Sequence, residues 1–362
     1  MTVAPGDNEA AALHAIFDAP DMLAAIAPLD CILRLADPSV LNASLLELLP
    51  PNRVVLAIDS AALADDGARK RVLELHEEGY RILLDGAAPE GVTIPPTLRA
   101  VAQDCSAGAP KAGSLLSLFG PHWARAVGDH LRLQQCALAG FEWFSGAYPL
   151  HRAPDGADKD GTTRKRLLSL LGMLARDADS KELETLLKQD PALSYHLLKL
   201  VNSAAFALSK PITSFGQAIN VLGRRQLQRW LQLLLYARQQ DDGLANPLLP
   251  LAALRAAQME GLCKTLGGDR DEQDQAFMIG VFALLDVLFA LPMEEIVSAL
   301  NLAPEASAAL LRREGQLGLM LKMAESDRID TAQLDALGVT APQWWQSQLQ
   351  AYHWAIQVSR NL

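Results

Sequence analysis

Two short runs, RVVLAID (residues 53–59) and YRILLDG (80–86), constrain the first part of the chain most tightly. Each reads as a buried strand, and GARKRVLELHEEG (67–79) between them reads as an amphipathic helix. Strand, helix and strand at this spacing describe a βαβ unit in a parallel sheet. CILRLA (31–36) adds a candidate strand, and QQCALAGFEWFSGAYPLH (134–151) reads as a helix end followed by another. The pattern predicts an α/β domain over residues 1–150.

A polar stretch rich in Gly and Asp, HRAPDGADKDGTTRKR (151–166), interrupts the apolar periodicity and is read as a linker. Helix signals take over after it. Asp179 with Glu182, Ser214 with Gln217 and Thr340 with Gln343 have capping-box spacing. Asp190-Pro191 offers an N-cap followed by proline at the first helical position, and Gly223 suits a helix C-terminus. No strand-like stretch competes, so residues 167–362 are expected to form an all-α domain. The 362 residues suffice for two domains with proper cores. Leucine and alanine dominate a composition that is half hydrophobic and 6% aromatic, which suits a soluble, helix-rich protein.

Charge and cysteine usage narrow the function classes. A net charge of −10, with 18 acidic against 10 basic side chains in residues 1–150, argues against nucleic acid and anionic membranes as partners. The one basic cluster with an aromatic, GRRQLQRW (223–230), reads as a solvated helix face. Cys31, Cys105, Cys136 and Cys263 are widely spaced without a CxxC pair, as isolated buried thiols in a reducing cytosol would be. The start MTVAPGDNEAAALH lacks a basic, apolar signal segment. The longest apolar run, FMIGVFALLDVLFALP from Phe277, is broken by Asp286 and closed by Pro292, and reads as a buried core helix. A cytoplasmic location is expected.

Motifs for chemistry are sparse. There is no HD dipeptide, HExxH, GxSxG or phosphate-binding glycine loop, and His196 and His353 stand alone. No metal or other cofactor is expected. Asp59 and Asp85 close their strands, where barrel enzymes place catalytic groups. Two carboxylates there could hold a divalent metal, or could cap the helices that follow. In LLKLVNSAAF (197–206) an oily helix runs into Asn202 and Ser203. Such side chains hydrogen-bond backbone groups freed where a helix ends, so the pair is expected to be a structural joint.

The order DPALSYHLLKLVNSAAF, PITSFGQAINVLGRRQLQRW resembles the HDOD domain, through Asp190, Pro191, Asn202, Ser203, Ile212, Ala218, Leu222 and Gly223. AFMIGVFALLDVLF (276–289) and AYHWA (351–355) resemble the YuxH-like proteins, which join an EAL-type domain to HDOD. The resemblance implies a helical signalling module, related to HD metal-dependent phosphohydrolases but lacking their metal-binding His and Asp. RVVLAIDSAAL, LHEEGYRILLDG and LAGFEWFSGAYPLH are similar, in order, to the EAL phosphodiesterase domain, a TIM-type barrel that cleaves cyclic di-GMP. On that resemblance the metal-binding Glu falls on Ala57, and the paired aspartates on Asp85 and Gly86. The lysine falls at about Ala102 with Asp104 kept, and the terminal Gln-Gly on Ser145-Gly146. At 150 residues the domain is also shorter than a full barrel of about 250.

The resemblance therefore implies an incomplete, degenerate EAL-like TIM-barrel domain followed by an all-helical HDOD domain. It implies that the chain is not an enzyme, and that it is a bacterial signal-transduction protein acting through protein–protein contacts. Its implied partners are diguanylate cyclases, phosphodiesterases or response regulators in cyclic di-GMP or two-component circuits, with homo-oligomerisation left open. The alternative is a cyclic di-GMP receptor or weak phosphodiesterase using Asp59, Asp85 and Asp104.

Overall fold

In the computed structural model the described residues are 13, 14, 17, 22–115, 118–151, 169, 171–173, 182, 185, 202, 212, 217, 223–236, 246–326 and 331–361. The chain divides into two compact units, Met1–Ala153 and Pro154–Leu362.

The first unit is built on six parallel strands: β1 (Cys31–Leu35), β2 (Val54–Asp59), β3 (Arg81–Asp85), β4 (Val101–Asp104), β5 (Trp123–Arg125) and β6 (Trp143–Phe144). They lie in sequence order, β1 to β6. Every step goes to the next neighbour in the same direction. Right-handed crossovers then put all connections on one side, which makes a half barrel and not a doubly wound sheet. The short helices are α1 (Met22–Ala25), α2 (Ala43–Leu48), α3 (Asp66–Glu77) and α4 (His130–Ala139). Caps fix three of them: Asn42 accepts from Leu45 N–H at 3.0 Å, Asp65 from Ala68 N–H at 2.8 Å and Asp129 from Arg132 N–H at 2.7 Å. Gly140, at φ 109°, ends α4 in the left-handed conformation.

The expected strands at 31–36, 53–59 and 80–86 are present as β1 to β3. Strand β5 has no counterpart among the strands expected from sequence, because three residues carry no periodicity. Successive strand residues face opposite ways. The register therefore sets Ile32, Val55, Ala57, Leu83, Ala102, Trp123 and Trp143 on one face. These side chains pack as one apolar cluster.

The described elements of the second unit are all helices: α5 (Arg224–Leu234), α6 (Leu248–Thr265), α7 (Arg270–Phe282), α8 (Leu285–Phe289), α9 (Met293–Leu300), α10 (Pro304–Arg312), α11 (Gly315–Ala324), α12 (Thr331–Leu337) and α13 (Ala341–Asn361). Helix α6 is the hub, with α7 and α13 packed along it. Asp269 and Glu272 form a capping box that opens α7. Thr340 N–H donates to Gln343 at 2.9 Å at the start of α13, where the sequence places a helix start. The apolar run from Phe277 is core, split between α7 and α8. No helix among the described residues is long and apolar enough to cross a membrane.

Close approach of α6 and α7 depends on a missing side chain. A Cβ at Gly280 would lie 2.6 Å from Ala256 Cα. Gly280→Ala is expected to force these helices apart and lower stability by about 2 kcal/mol, as overpacking does. Urea denaturation of the full chain measures this, and an unchanged midpoint would refute the account.

Candidate functional site

The face that carries the apolar cluster turns polar toward the C-terminal ends of the strands. Asp59 and Asp85 are register partners on β2 and β3, and Asp104 pairs with Arg125 across β4 and β5. Arg34 lies on the same face of β1, beside Ala57. Parallel sheets gather their ligands at this end.

Asp85 is the centre of the group. It is 3% exposed, and each of its oxygens accepts from a different arginine. Arg34 Nε donates to Oδ2 at 2.6 Å. Arg125 Nε donates to Oδ1 at 3.0 Å, with its Nη2 at 2.8 Å from the same oxygen. A buried carboxylate persists only when it is paired in this way. Arg34 and Arg125 each reach Asp85 diagonally across an intervening strand, with Ala57 beside Arg34 on β2 and Ala102 beside Asp85 on β4. Arg125 also lies 5.9 Å from the Trp123 ring centroid, and Trp123 Nε1 donates to Ser145 Oγ at 3.1 Å.

The other two carboxylates serve their own loops. Asp59 accepts from Ala61 N–H at 2.9 Å and so caps the turn that follows β2. Asp104 accepts from Ser106 N–H at 2.9 Å and Ser106 Oγ–H at 2.6 Å. Those Ser106 bonds, aided by Arg125 and Arg34, hold the Asp104 carboxyl below the usual carboxylate range. Of the two roles open to Asp59 and Asp85 from their positions in the chain, capping holds for Asp59. Asp85 is paired by two arginines where Asp59 caps a turn, and nothing local in the sequence points to these partners, which sit 51 and 40 residues away. Among the described residues no group of three or more His, Cys, Asp or Glu side chains is placed to hold a metal.

The four cysteines are buried, free thiols as expected, though two of them are not isolated: Cys105 and Cys136 meet. Burial, then the hydrogen bond with Cys136, pushes the Cys105 thiol up to about 12, which keeps it protonated. Within GRRQLQRW, Arg225 is exposed as a solvated face would have it, but Arg225 and Arg229 both make ion pairs with neighbouring helices. Arg225 pairs with Asp271 at 2.7 Å, and Arg229 pairs with Glu260 at 2.7 Å and Asp274 at 2.5 Å. Arg229 also sits 4.9 Å over the Phe277 ring. These arginines knit α5 to α6 and α7.

Of the residues singled out in the second half, Asp190, Pro191, Ser203, Ala218 and Leu222 lie outside the described residues, as do 152–166 of the expected linker. Asn202, Ile212 and Gly223 are described. Asn202 Nδ2 donates to Ile212 O at 2.7 Å, and Ile212 N–H donates back to Asn202 Oδ1 at 2.6 Å. Gly223, at φ 76°, precedes α5 as its N-cap.

Comparison with known proteins agrees with the helical half. The HDOD domain family model matches residues 164–317. A protein of Vibrio cholerae named cyclic di-GMP phosphodiesterase CdgJ is 30% identical over 76% of this chain. The uncharacterized protein YuxH of Bacillus subtilis is 28% identical over 64% of it. The chain spans 66% and 58% of these relatives, under two thirds of each. A crystal structure of an HDOD domain protein with unknown function from Geobacter sulfurreducens superposes with a TM-score of 0.34 at 16% identity, over 54% of this chain and 85% of that one. Residues 164–317 match the HDOD domain family, and both curated proteins are relatives of this chain. The expectation that it is not an enzyme does not stand, because a relative at this identity bears the name of a phosphodiesterase.

The geometry makes two predictions. Asn202→Ala removes both bonds to the Ile212 backbone and should cost about 2 kcal/mol of stability, read by urea denaturation. Asp104 has a folded pKa below its unfolded value, so its contribution to stability is present above about pH 3.9 and fades as pH falls through the lower folded pKa. In Ser106→Ala the Asp104 titration, followed by carboxyl NMR, should move up toward the ordinary value.

Proposed function

We propose that this chain works in cyclic di-GMP-linked signalling. Its first unit is then an EAL-like half barrel that recognises the cyclic dinucleotide over its strand ends, and its HDOD unit contacts other signalling proteins. The observation that carries this is the placement of Arg34 and Arg125 at the C-terminal end of a sequentially ordered parallel sheet, against a buried Asp85. Guanidinium groups match the paired oxygens of a phosphodiester, and parallel sheets bind ligands at this end. The name of the Vibrio relative supports the choice of cyclic di-GMP over other phosphodiesters. The EAL-like assignment is an analogy of fold, supported by the strand order and by Asp85 and Asp104 at strand ends. Phosphodiester cleavage cannot use Asp85 as a metal ligand while both ion pairs stand. Diguanylate cyclases, phosphodiesterases and response regulators are the partners this circuit supplies to the HDOD surface.

Calorimetric titration of the full chain with cyclic di-GMP tests the proposal, with the linear product followed by chromatography in the same samples. Saturable micromolar binding is expected, weakened at least tenfold in Arg34→Gln. Absence of both binding and turnover would overturn it.

A further inference from the structure

An EAL-like phosphodiesterase site implies divalent cations at the strand ends, and the donors present here do not fit them. Asp85, the buried carboxylate at the centre, already has a guanidinium on each oxygen, at 2.6 Å from Arg34 and 2.8 Å from Arg125. A divalent ion at Asp85 would have to displace both, or sit in contact with two positive charges. Both charges are permanent, because arginine does not deprotonate in proteins. Beside Asp85 on β4 is Ala102, which offers no side-chain donor, and beside it on β2 is Asp59. Asp59 and Asp104 are turned to the N–H groups of Ala61 and Ser106, and the free oxygen of Asp104 lies 3.8 Å from Arg125.

We infer that Arg34 and Arg125 stand in for a divalent cation at Asp85, so that the Asp85 charge in the strand-end ring is offset from within and the ring holds no Mg²⁺ or Mn²⁺. The ring is a preassembled anion-facing site. Its outer guanidinium nitrogens offer phosphate the contacts that a bound metal would otherwise supply.

The first arm of the test uses Mn²⁺ alone on the full chain. Thermal unfolding and water-proton relaxation should show no Mn²⁺ effect that depends on Asp85. Asp85→Asn should lower the melting temperature equally in EDTA and in millimolar Mn²⁺, because the loss is of ion pairs. A Mn²⁺-dependent stabilisation of the wild type that Asp85→Asn abolishes would overturn the inference. Asp104→Asn, at a carboxylate 51% exposed, is the second variant should Asp85→Asn not fold. Mn²⁺ stabilisation lost in Asp104→Asn is equally fatal, and an unchanged response supports the inference. The second arm rests on the cyclic di-GMP proposal. Affinity for cyclic di-GMP should agree within twofold between EDTA and Mg²⁺ buffers, and binding confined to Mg²⁺ would overturn the inference. Binding in neither buffer counts against the cyclic di-GMP proposal, and the Mn²⁺ arm then decides the inference by itself.

Discussion

A carboxylate removed from water is the constraint around which the first unit is arranged. Asp85 is buried at the end of β3, where an unpaired charge would cost several kcal/mol. Arg34 and Arg125 offset that cost from strands on either side of it, β1 and β5. The three side chains therefore tie together strands that do not neighbour one another. Backbone pairing joins each strand only to the next. The ion pairs add a link across the sheet, and they do so at the end where a ligand would sit.

The second unit solves a different problem with different means. Helix α6 buries a broad face, including Leu248, Leu249, Ala253, Ala256, Gln258, Met259 and Leu262. A helix with so broad a buried face needs neighbours on more than one side, and α7 and α13 pack along it. Small side chains make this feasible: Gly280 meets Ala256, and Gly261 stands where a Cβ would be 3.4 Å from Ser347 Cβ. Aromatic contacts close the remaining space, with Phe277 and Trp354 edge to face at 5.4 Å between ring centroids. The Arg225 and Arg229 ion pairs then bind α5 to this core.

Local physics was legible in the sequence, and long-range pairing was not. β2 and β3 announced themselves because each is a continuous buried run beside an amphipathic helix. The Thr340–Gln343 cap could be read because both partners lie within one turn. Asp59 as a cap is likewise a matter of two residues. Asp85 looked the same as Asp59 in sequence, yet its partners come from β1 and β5, and no local pattern marks an arginine as the partner of a distant carboxylate. Arg125 was doubly hidden, on a strand of three residues that has no periodic signature. The pairing of Cys105 with Cys136 escaped for the same reason: spacing along the chain says nothing of it.

The alternation along β2 and β4 has a further consequence. Two of the face positions beside the Arg34–Asp85–Arg125 cluster are Ala57 and Ala102, and neither carries a charge. A longer side chain at residue 57 would stand in the path of Arg34, and one at residue 102 in the path of Arg125. The electrostatic character of the strand ends is thus written in steric terms, by two methyl groups. A longer residue at either alanine would change the chemistry of the strand ends while Arg34, Asp85 and Arg125 themselves stay the same.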